Sequence, residues 1–498
     1  MNSLDLLLEG IAGVFQFKVL IILILGTMVG IIIGSLPGLT ATMGVALILP
    51  VTFGMEPVTG ILLLIGVYFG AVYGGSITAI LINTPGTPAS AATAIDGYAM
   101  SKKGLAHKAL TISTVSSAIG GTLSVIVLIF VAPQLANFAL KFGAPETFAL
   151  AVFGISIISS IAGKSMVKGL IAGLIGLLIA TIGIDPIGGF PRFTFGNVNL
   201  SSGISLIPIM IGLFAASEAF RSMGNIFSKQ RLIIKVEKVK LKWVEFKILI
   251  GTILRSGGIG TFIGMIPGAG GDIAAFVAYN EAKRFSKNKE EFGNGSMKGV
   301  AAPEAANNGV TGGAMIPLLT LGIPGDAVTA VLLGALMVQG IQPGPMLFEN
   351  NGPIVYTLFV GMLVANLLIL VLGLFGIKLF TKILLIPTAI LTPIILVLCV
   401  VGAYSLGNNY FDVIVMFIAG VIGFFLLRYD FPVSPIILGV ILGPMMESNF
   451  RRSLVMSQGD FSIFYTSPIA LVILIIAVIT LCAPLVSKFA KKQTVEGE

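Results

Sequence analysis

Charge is what this chain has least of. Only 10% of its 498 residues are Asp, Glu, Lys or Arg, against roughly 25% in an ordinary soluble domain. Histidine and tryptophan occur once each, as His107 and Trp243, so histidine-based metal or triad chemistry is poorly supplied. Two cysteines, Cys399 and Cys482, lie far apart in separate apolar stretches. They read as packing residues rather than a disulfide framework or a metal site. Before the first lysine, Lys18, the N-terminus carries Asp5 and Glu9. It lacks the basic leader of a cleavable signal peptide, and none is expected. The net charge of +8 does not point to nucleic acid, because the basic residues cluster in loops, where they act as cytoplasmic retention signals.

What fills the chain is apolar sequence: 56% of it is hydrophobic and the mean hydropathy is +1.03. Residues 57–95, 109–140, 350–377 and 383–411 contain no charged residue and no histidine. Each is long enough to cross a bilayer, which takes about 20 apolar residues. The 62 glycines and 24 prolines sit inside these runs. Helix breakers at membrane depth are tolerated where the freed backbone faces protein or a wet cavity. This favours a transporter or channel over an anchor.

The apolar sequence repeats itself. Residues 30–38 read GIIIGSLPG and residues 260–268 read GTFIGMIPG. A second pair follows: Gly74-Gly75-Ser76-Ile77 leads to Pro85-Gly86, and Gly312-Gly313-Ala314-Met315 leads to Pro324-Gly325. Two motifs in the same order and at nearly the same separation divide the chain into repeat one, 1–225, and repeat two, 226–498.

Loop charge suggests how the repeats are oriented. Segment 1–16 has no base, whereas its counterpart 221–247 has eight; 50–58 has none, whereas 283–298 has five. After the second motif the bias reverses, with Lys102, Lys103 and Lys108 in 101–108 and no base in 341–352. Corresponding loops then lie on opposite faces, as in inverted-topology repeats. Segments 17–53 and 246–280 should each leave and return to one face, with Pro37-Gly38 and Pro267-Gly268 at the bends; a pair of complete spans gives the same loop locations, and charge alone does not separate the two. Lys164, Lys168, Arg221, Lys378, Lys382, Lys488, Lys491 and Lys492 agree with this layout; Arg451 and Arg452 fall on the wrong side.

A helix that restarts after a Pro-Gly break presents unpaired N–H groups at its positive end. The residues around the four breaks are therefore the candidate substrate contacts. They are Pro37, Gly38, Thr40 and Thr42; Asn83, Pro85, Gly86, Thr87 and Ser90; Pro267, Gly268, Gly270 and Gly271; and Pro324, Gly325 and Thr329. Together such ends suit a carboxylate. Glycine-mediated helix crossings would give the same composition. Acids at membrane depth are expensive, so each is a functional candidate. Asp272 and Asp326 follow the breaks of repeat two, where cation coordination, proton carriage and helix capping all fit. Glu304, Asn307 and Asn308 supply oxygens for a coupling ion, or for a network that only stiffens the scaffold. Asp96 and His107 read as interfacial, and Trp243 as an interface anchor in a basic amphipathic stretch.

The stretches LPGLTATMGVALILPVTFGMEPVTG (36–60), YGGSITAILINTPGTPASAATAIDGYAMSKKG (73–104), IPGAGGDIAAFVAYNEAKRFSK (266–287) and GVAAPEAANNGVTGGAMIPLLTLGIPGDAVTAVLLGALMVQGIQPGP (299–345) resemble the large membrane subunit of the tripartite tricarboxylate transporters, the TctA family. The resemblance runs essentially full length, although the last 120 residues add little to it. It implies a bacterial inner-membrane importer of di- or tricarboxylates such as citrate, driven by sodium or protons. It also implies two partners, a small TctB-like membrane subunit and a TctC-like periplasmic solute-binding protein.

The expectation is an all-α polytopic membrane protein of roughly 11–14 membrane segments, built from two inverted repeats. It should act by alternating access, without catalysis and without a cofactor beyond Na+ or H+, and a firm metal site is not expected. An intramembrane aspartyl protease using Asp272 and Asp326, and an ion channel, are the rival readings.

Overall fold

The computed structural model describes residues 3–36, 38–156, 165–185, 187–223, 239, 241–383 and 388–495. Pro37, Lys164 and most of the basic stretch (Lys229, Arg231, Lys235, Lys238 and Lys240) lie outside the described residues. The described chain is helical almost throughout; its one sheet is a two-stranded hairpin. Among the described residues seven helices are long and apolar enough to cross a membrane, so the chain is a multi-pass membrane protein. The residues form two compact units, 1–137 with 218–406, and 138–217 with 407–498. Both repeats read from the sequence contribute to both units.

The first unit begins with α1 (Ser3–Val14), α2 (Phe17–Gly34), α3 (Ala41–Ile48, continued as a 3-10 turn to Thr52), α4 (Pro57–Ile82), α5 (Ser90–Lys102) and α6 (Ala106–Ala139). The chain then enters the second unit through α7 (Ala144–Ser156), α8 (Met166–Ala180), the hairpin strands β1 (Gly183–Ile184) and β2 (Pro191–Arg192), and α9 (Leu206–Met223). It returns to the first unit as α10 (Trp243–Met265), α11 (Gly270–Arg284), α12 (Met297–Leu321), α13 (Ala327–Val338), α14 (Gly352–Ile383) and α15 (Thr388–Gly407). The second unit is completed by α16 (Tyr410–Arg428), α17 (Ser434–Met456) and α18 (Pro468–Val495).

Glycine sets the core of the first unit. A β-carbon at Gly30 would lie 2.3 Å from the Val67 carbonyl oxygen, and one at Gly34 would lie 2.1 Å from that of Ala71. From the other side, Gly70 faces the Thr27 carbonyl and Gly74 that of Ile31. Backbones in this contact leave no room for any side chain, the small-residue solution to helix packing in lipid. Repeat two has the same contacts position for position. Gly260 faces the Ala306 carbonyl and Gly264 that of Val310, while Gly309 and Gly313 face Gly257 and Thr261. The paired residues advance together along both helices, so α2 runs parallel to α4, and α10 to α12.

Parallel neighbours require the chain between them to come back. The returning leg after α2 is α3 with its 3-10 turn, Ala41–Thr52, about 18 Å of helix at 1.5 Å per residue. That is short of the roughly 30 Å hydrocarbon core. Segments 17–53 and 246–280 therefore leave and return as expected, on a short helix rather than a second full span. Gly38, at φ +89°, and Gly268, at φ +81°, make the bends that an L side chain resists.

Helices α4 and α12 are the most enclosed; Thr59–Leu81 and Gly299–Thr320 are buried without interruption. These equivalent helices cross antiparallel, since Val72 meets Asn307 and Ser76 meets Glu304. Cys399 is buried and free, a packing residue as expected. Trp243 is exposed and stacks on Phe246.

In the second unit, α8 and α17 meet through Gly176 and Gly439. At the hairpin, the buried Asp185 accepts N–H groups from Ile187 and Gly188 and pairs with Arg192 and Arg451 at 3.3 and 2.9 Å. Both arginines also reach Glu447, at 2.7 and 3.0 Å. Arg451, which violates the charge rule, is thus held in an ion-pair network and is not a free topological charge. The Gly188 N–H foremost, then that of Ile187 and the two guanidinium groups, hold the Asp185 carboxyl below its ordinary range against the opposing effect of burial. A depressed folded-state value stabilises the fold above the unfolded value of about 3.9, and this is lost as pH falls through the folded value. Asp185→Asn should lower the unfolding temperature at neutral pH, with the gap to wild type closing in acid. A gap of equal size at both pH values would count against it.

Candidate functional site

The four restarting helices α3, α5, α11 and α13 all lie in the first unit, and they associate across the repeats. α5 of repeat one packs on α11 of repeat two, and α3 packs on α13. The first turns of α5 and α11 abut. A β-carbon at Gly271 would lie 3.5 Å from the Ala89 β-carbon and 2.5 Å from Asn307 Oδ1. Ala89, Ala92 and Ala275 close a small apolar cluster beside them.

The two pairs differ in chemistry. Thr40 caps α3, its hydroxyl accepting the Met43 N–H at 3.2 Å. Asp326 caps α13 by a reciprocal box: its Oδ1 accepts the Thr329 N–H at 2.7 Å, and its own N–H donates to Thr329 Oγ1 at 2.8 Å. Tyr68, on α4, donates to Asp326 Oδ2 at 2.9 Å. Capping thus accounts for the position of Asp326. Neither α5 nor α11 has a side-chain cap, Ala89 and Ala269 standing at the cap positions. At α5 the Ser90, Ala91 and Ala92 N–H groups donate to the Thr87, Pro88 and Ala89 carbonyls; at α11 Asp272 stands in the first turn beside Gly270, and the glycines at 270 and 271 carry no side chain over the backbone.

The other candidates fall around this frame. Thr42 is in the first turn of α3, and Asn83 ends α4 in the left-handed conformation at φ 55°. Pro85 is exposed, whereas Gly86 is buried against the Gly34 carbonyl and donates to the Gly75 carbonyl at 3.2 Å. Thr87 and Ser90 hydrogen-bond each other ahead of α5. Pro267 and Pro324 are buried, the Gly268 N–H donates to the Gly325 carbonyl at 2.6 Å, and Gly325 packs on the Gly264 carbonyl as Gly86 does on Gly34. Asp272 is exposed in the first turn of α11.

Glu304 is fully buried and surrounded by hydroxyls. Ser76 and Thr93 donate to Oε1; Ser113 and Ser117 donate to Oε2 at 2.8 and 2.9 Å. These donors come from α4, α5 and α6, so one carboxylate of repeat two ties together three helices of repeat one. Asp96, which reads as interfacial in the sequence, is enclosed by the protein itself. It is fully buried and accepts the N–H groups of Gly293, Gly295 and Ser296 and the Tyr279 hydroxyl, clamping the loop ahead of α12. Sequence reasoning missed Tyr68 and the four hydroxyl donors. Of these only Ser113 and Ser117 carried a signal, their i, i+4 spacing on one helix face.

Residues 20–438 match the family model described as the tripartite tricarboxylate transporter TctA family. The chain belongs to that family. The TctA match takes in every candidate site residue and both motif pairs. An uncharacterized 52.8 kDa protein of Agrobacterium vitis, in the TAR-I ttuC' 3'region, is 42% identical over 445 residues, 89% of either chain. An uncharacterized protein of the TAR-II ttuC' 3'region of the same organism is 41% identical over 211 residues, 42% of this chain and 87% of its own. No solved structure matches. Membership makes the chain a subunit of a tripartite transporter.

Proposed function

We propose that the chain is the translocating subunit of an importer of di- or tricarboxylates, driven by a sodium or proton gradient in the bacterial inner membrane. A TctC-like periplasmic binding protein delivers the substrate, and a TctB-like small membrane subunit completes the assembly. The observation that carries the reading is the meeting of two uncapped helix starts, α5 and α11, beside Asn307. Each such end favours an anion by roughly 0.3–1 kcal/mol exposed and up to about 2 when partly buried. The carboxylate contacts are then Thr87, Ser90, Gly270 and Gly271, and Asn307 joins them by turning its amide so that Nδ2, rather than the Oδ1 that faces Gly271, donates; the capped pair α3 and α13 holds the frame.

Alternating access is supported by the internal duplication. The equivalent helices α4 and α12 cross antiparallel, and the loop charges of the two halves have opposite bias, both of which suit inverted repeats. The protease reading is the weaker one. Such enzymes need two carboxylates free to share a water, and Asp326 has both oxygens engaged by Thr329 and Tyr68.

Uptake of radiolabelled citrate into proteoliposomes holding all three components tests this, with and without a sodium gradient. Asn307→Ala should reduce uptake about tenfold or more, the equivalent of 1.4 kcal/mol. Unchanged uptake in that variant would remove the α5–α11 site from consideration.

A further inference from the structure

In the second unit α7 and α8 each pack on α17, and a cleft of about 410 Å3 remains among them. Phe148 of α7, Leu177 and Ala180 of α8, and Gly443, Met446 and Phe450 of α17 form its walls. A β-carbon at Gly443 would lie 2.7 Å from that of Ala180, so α8 and α17 touch at the floor. Phe450 is held by Phe148 and Phe464, with ring centroids 5.1 and 5.7 Å away, which keeps the aromatic wall from folding inward. Thr181 and Glu447 supply the polar groups, and the Thr181 hydroxyl is spent on the Leu178 carbonyl at 2.7 Å. Small-molecule sites are hollows of roughly 300–1,000 Å3 with apolar walls and a few placed polar groups. The cleft has that size and that make-up.

Its depth suits an amphiphile. Lys168, in the first turn of α8, donates to the Tyr429 carbonyl at 2.6 Å and marks one end of the unit. Thr181 stands about 20 Å farther along α8, so the cleft lies past the middle of a roughly 30 Å hydrocarbon core. α17 runs parallel to α8, since Gly176 meets Ile436 and Ala180 meets Gly443. The ion pairs of Asp185, Arg192, Glu447 and Arg451 therefore form a charged lip at the end away from Lys168. The hairpin at this lip exposes Ile184, Ile187 and Phe190, which suit lipid rather than water.

The spare hydrogen-bonding capacity of the lip is donor capacity. Every oxygen of Asp185 and Glu447 already accepts. Arg451 is 36% exposed and engages those acids through its two terminal nitrogens, whereas a guanidinium carries five N–H donors and no acceptor. An ammonium headgroup would find no free carboxylate oxygen here; a phosphodiester finds donors. Two carboxylates and two guanidinium groups cancel, so the apolar cleft must supply most of the affinity. We propose that the cleft binds one membrane phospholipid, with an acyl chain between Phe148, Leu177 and Met446 and the phosphate accepting from the exposed edge of Arg451. A transmembrane helix of another subunit, about 10–12 Å across, would lie over this hollow without entering it.

The test is native mass spectrometry of the full-length chain in detergent, stripped of lipid and titrated with dioleoylphosphatidylglycerol. Oleyl alcohol, which lacks the phosphate, and glycerol phosphate, which lacks the chain, are titrated in parallel. A saturable phospholipid is expected, with both fragments at least about tenfold weaker. Met446→Trp fills the cleft and should weaken phospholipid binding at least about tenfold. Absence of saturable binding, oleyl alcohol as tight as the phospholipid, or unchanged affinity in Met446→Trp overturns the proposal. Should that variant not fold, Thr181→Leu narrows the cleft from the other wall and decides by the same criterion. Adding the small membrane subunit tests the rival occupant. Lipid retained in the complex supports the proposal; lipid expelled as the subunit binds, with Met446→Trp blocking that assembly, gives the cleft to a protein helix and overturns it.

Discussion

Replacing Glu304 by alanine should cost the protein about 3–5 kcal/mol, while glutamine at the same position should cost about 1 kcal/mol or less. The carboxylate accepts four hydroxyls, from Ser76, Thr93, Ser113 and Ser117, with no solvent to replace it. A buried donor left unpaired costs about 1–3 kcal/mol. Serine and threonine in a helix can turn to the carbonyl one turn back, so the four penalties do not add in full. The side-chain void adds its own cost. Glutamine keeps the shape and an acceptor oxygen, and two hydroxyls can rotate to accept its amide protons. Thermal unfolding of the purified variants reads the difference, and an alanine variant as stable as wild type would sink the argument. The glutamine variant also separates the two roles open to this residue. A scaffold acceptor predicts near-normal citrate uptake in Glu304→Gln; a proton or ion carrier predicts a stable protein that no longer transports.

The sequence carried the frame of this protein more clearly than its chemistry. Motifs such as GIIIGSLPG and GTFIGMIPG are legible because glycine at a backbone contact admits no substitute, and the contacts they make are the same in both repeats. The short returning legs were not legible, because charge on both sides of a break is the same for a returning leg and for a pair of complete spans. What else stayed hidden depends on partners far away in the chain. Asp96 precedes a basic stretch and reads as interfacial, yet it is buried by a loop some 200 residues later. Asp326 looks the same in sequence whether it caps a helix or binds an ion; the cap shows only in its bonds to Thr329 and Tyr68.

Two glycines of α10, only two positions apart, should respond in opposite directions to the same substitution. Gly260 sits against α12, where an added β-carbon would lie 2.1 Å from the Ala306 carbonyl oxygen. Gly258 faces outward, with nothing within 4 Å of such an atom. Alanine at 258 gains helix propensity, worth up to about 1 kcal/mol in soluble helices, and should leave the unfolding temperature equal or higher. Alanine at 260 forces two backbones apart, and the obstructing atom is a helix carbonyl that cannot swing away. Overpacking costs about 1–3 kcal/mol where side chains can adjust, so the loss here should reach or exceed about 3 kcal/mol. Valine at 260 should prevent accumulation of folded protein. Gly30→Ala, at the equivalent point of repeat one, faces Val67 at 2.3 Å and should behave as Gly260→Ala does. If Gly258→Ala and Gly260→Ala were equally stable, the glycine crossing would not be what holds α10 to α12. If Gly30 and Gly260 differed sharply, the duplication would be one of sequence without equal structural weight.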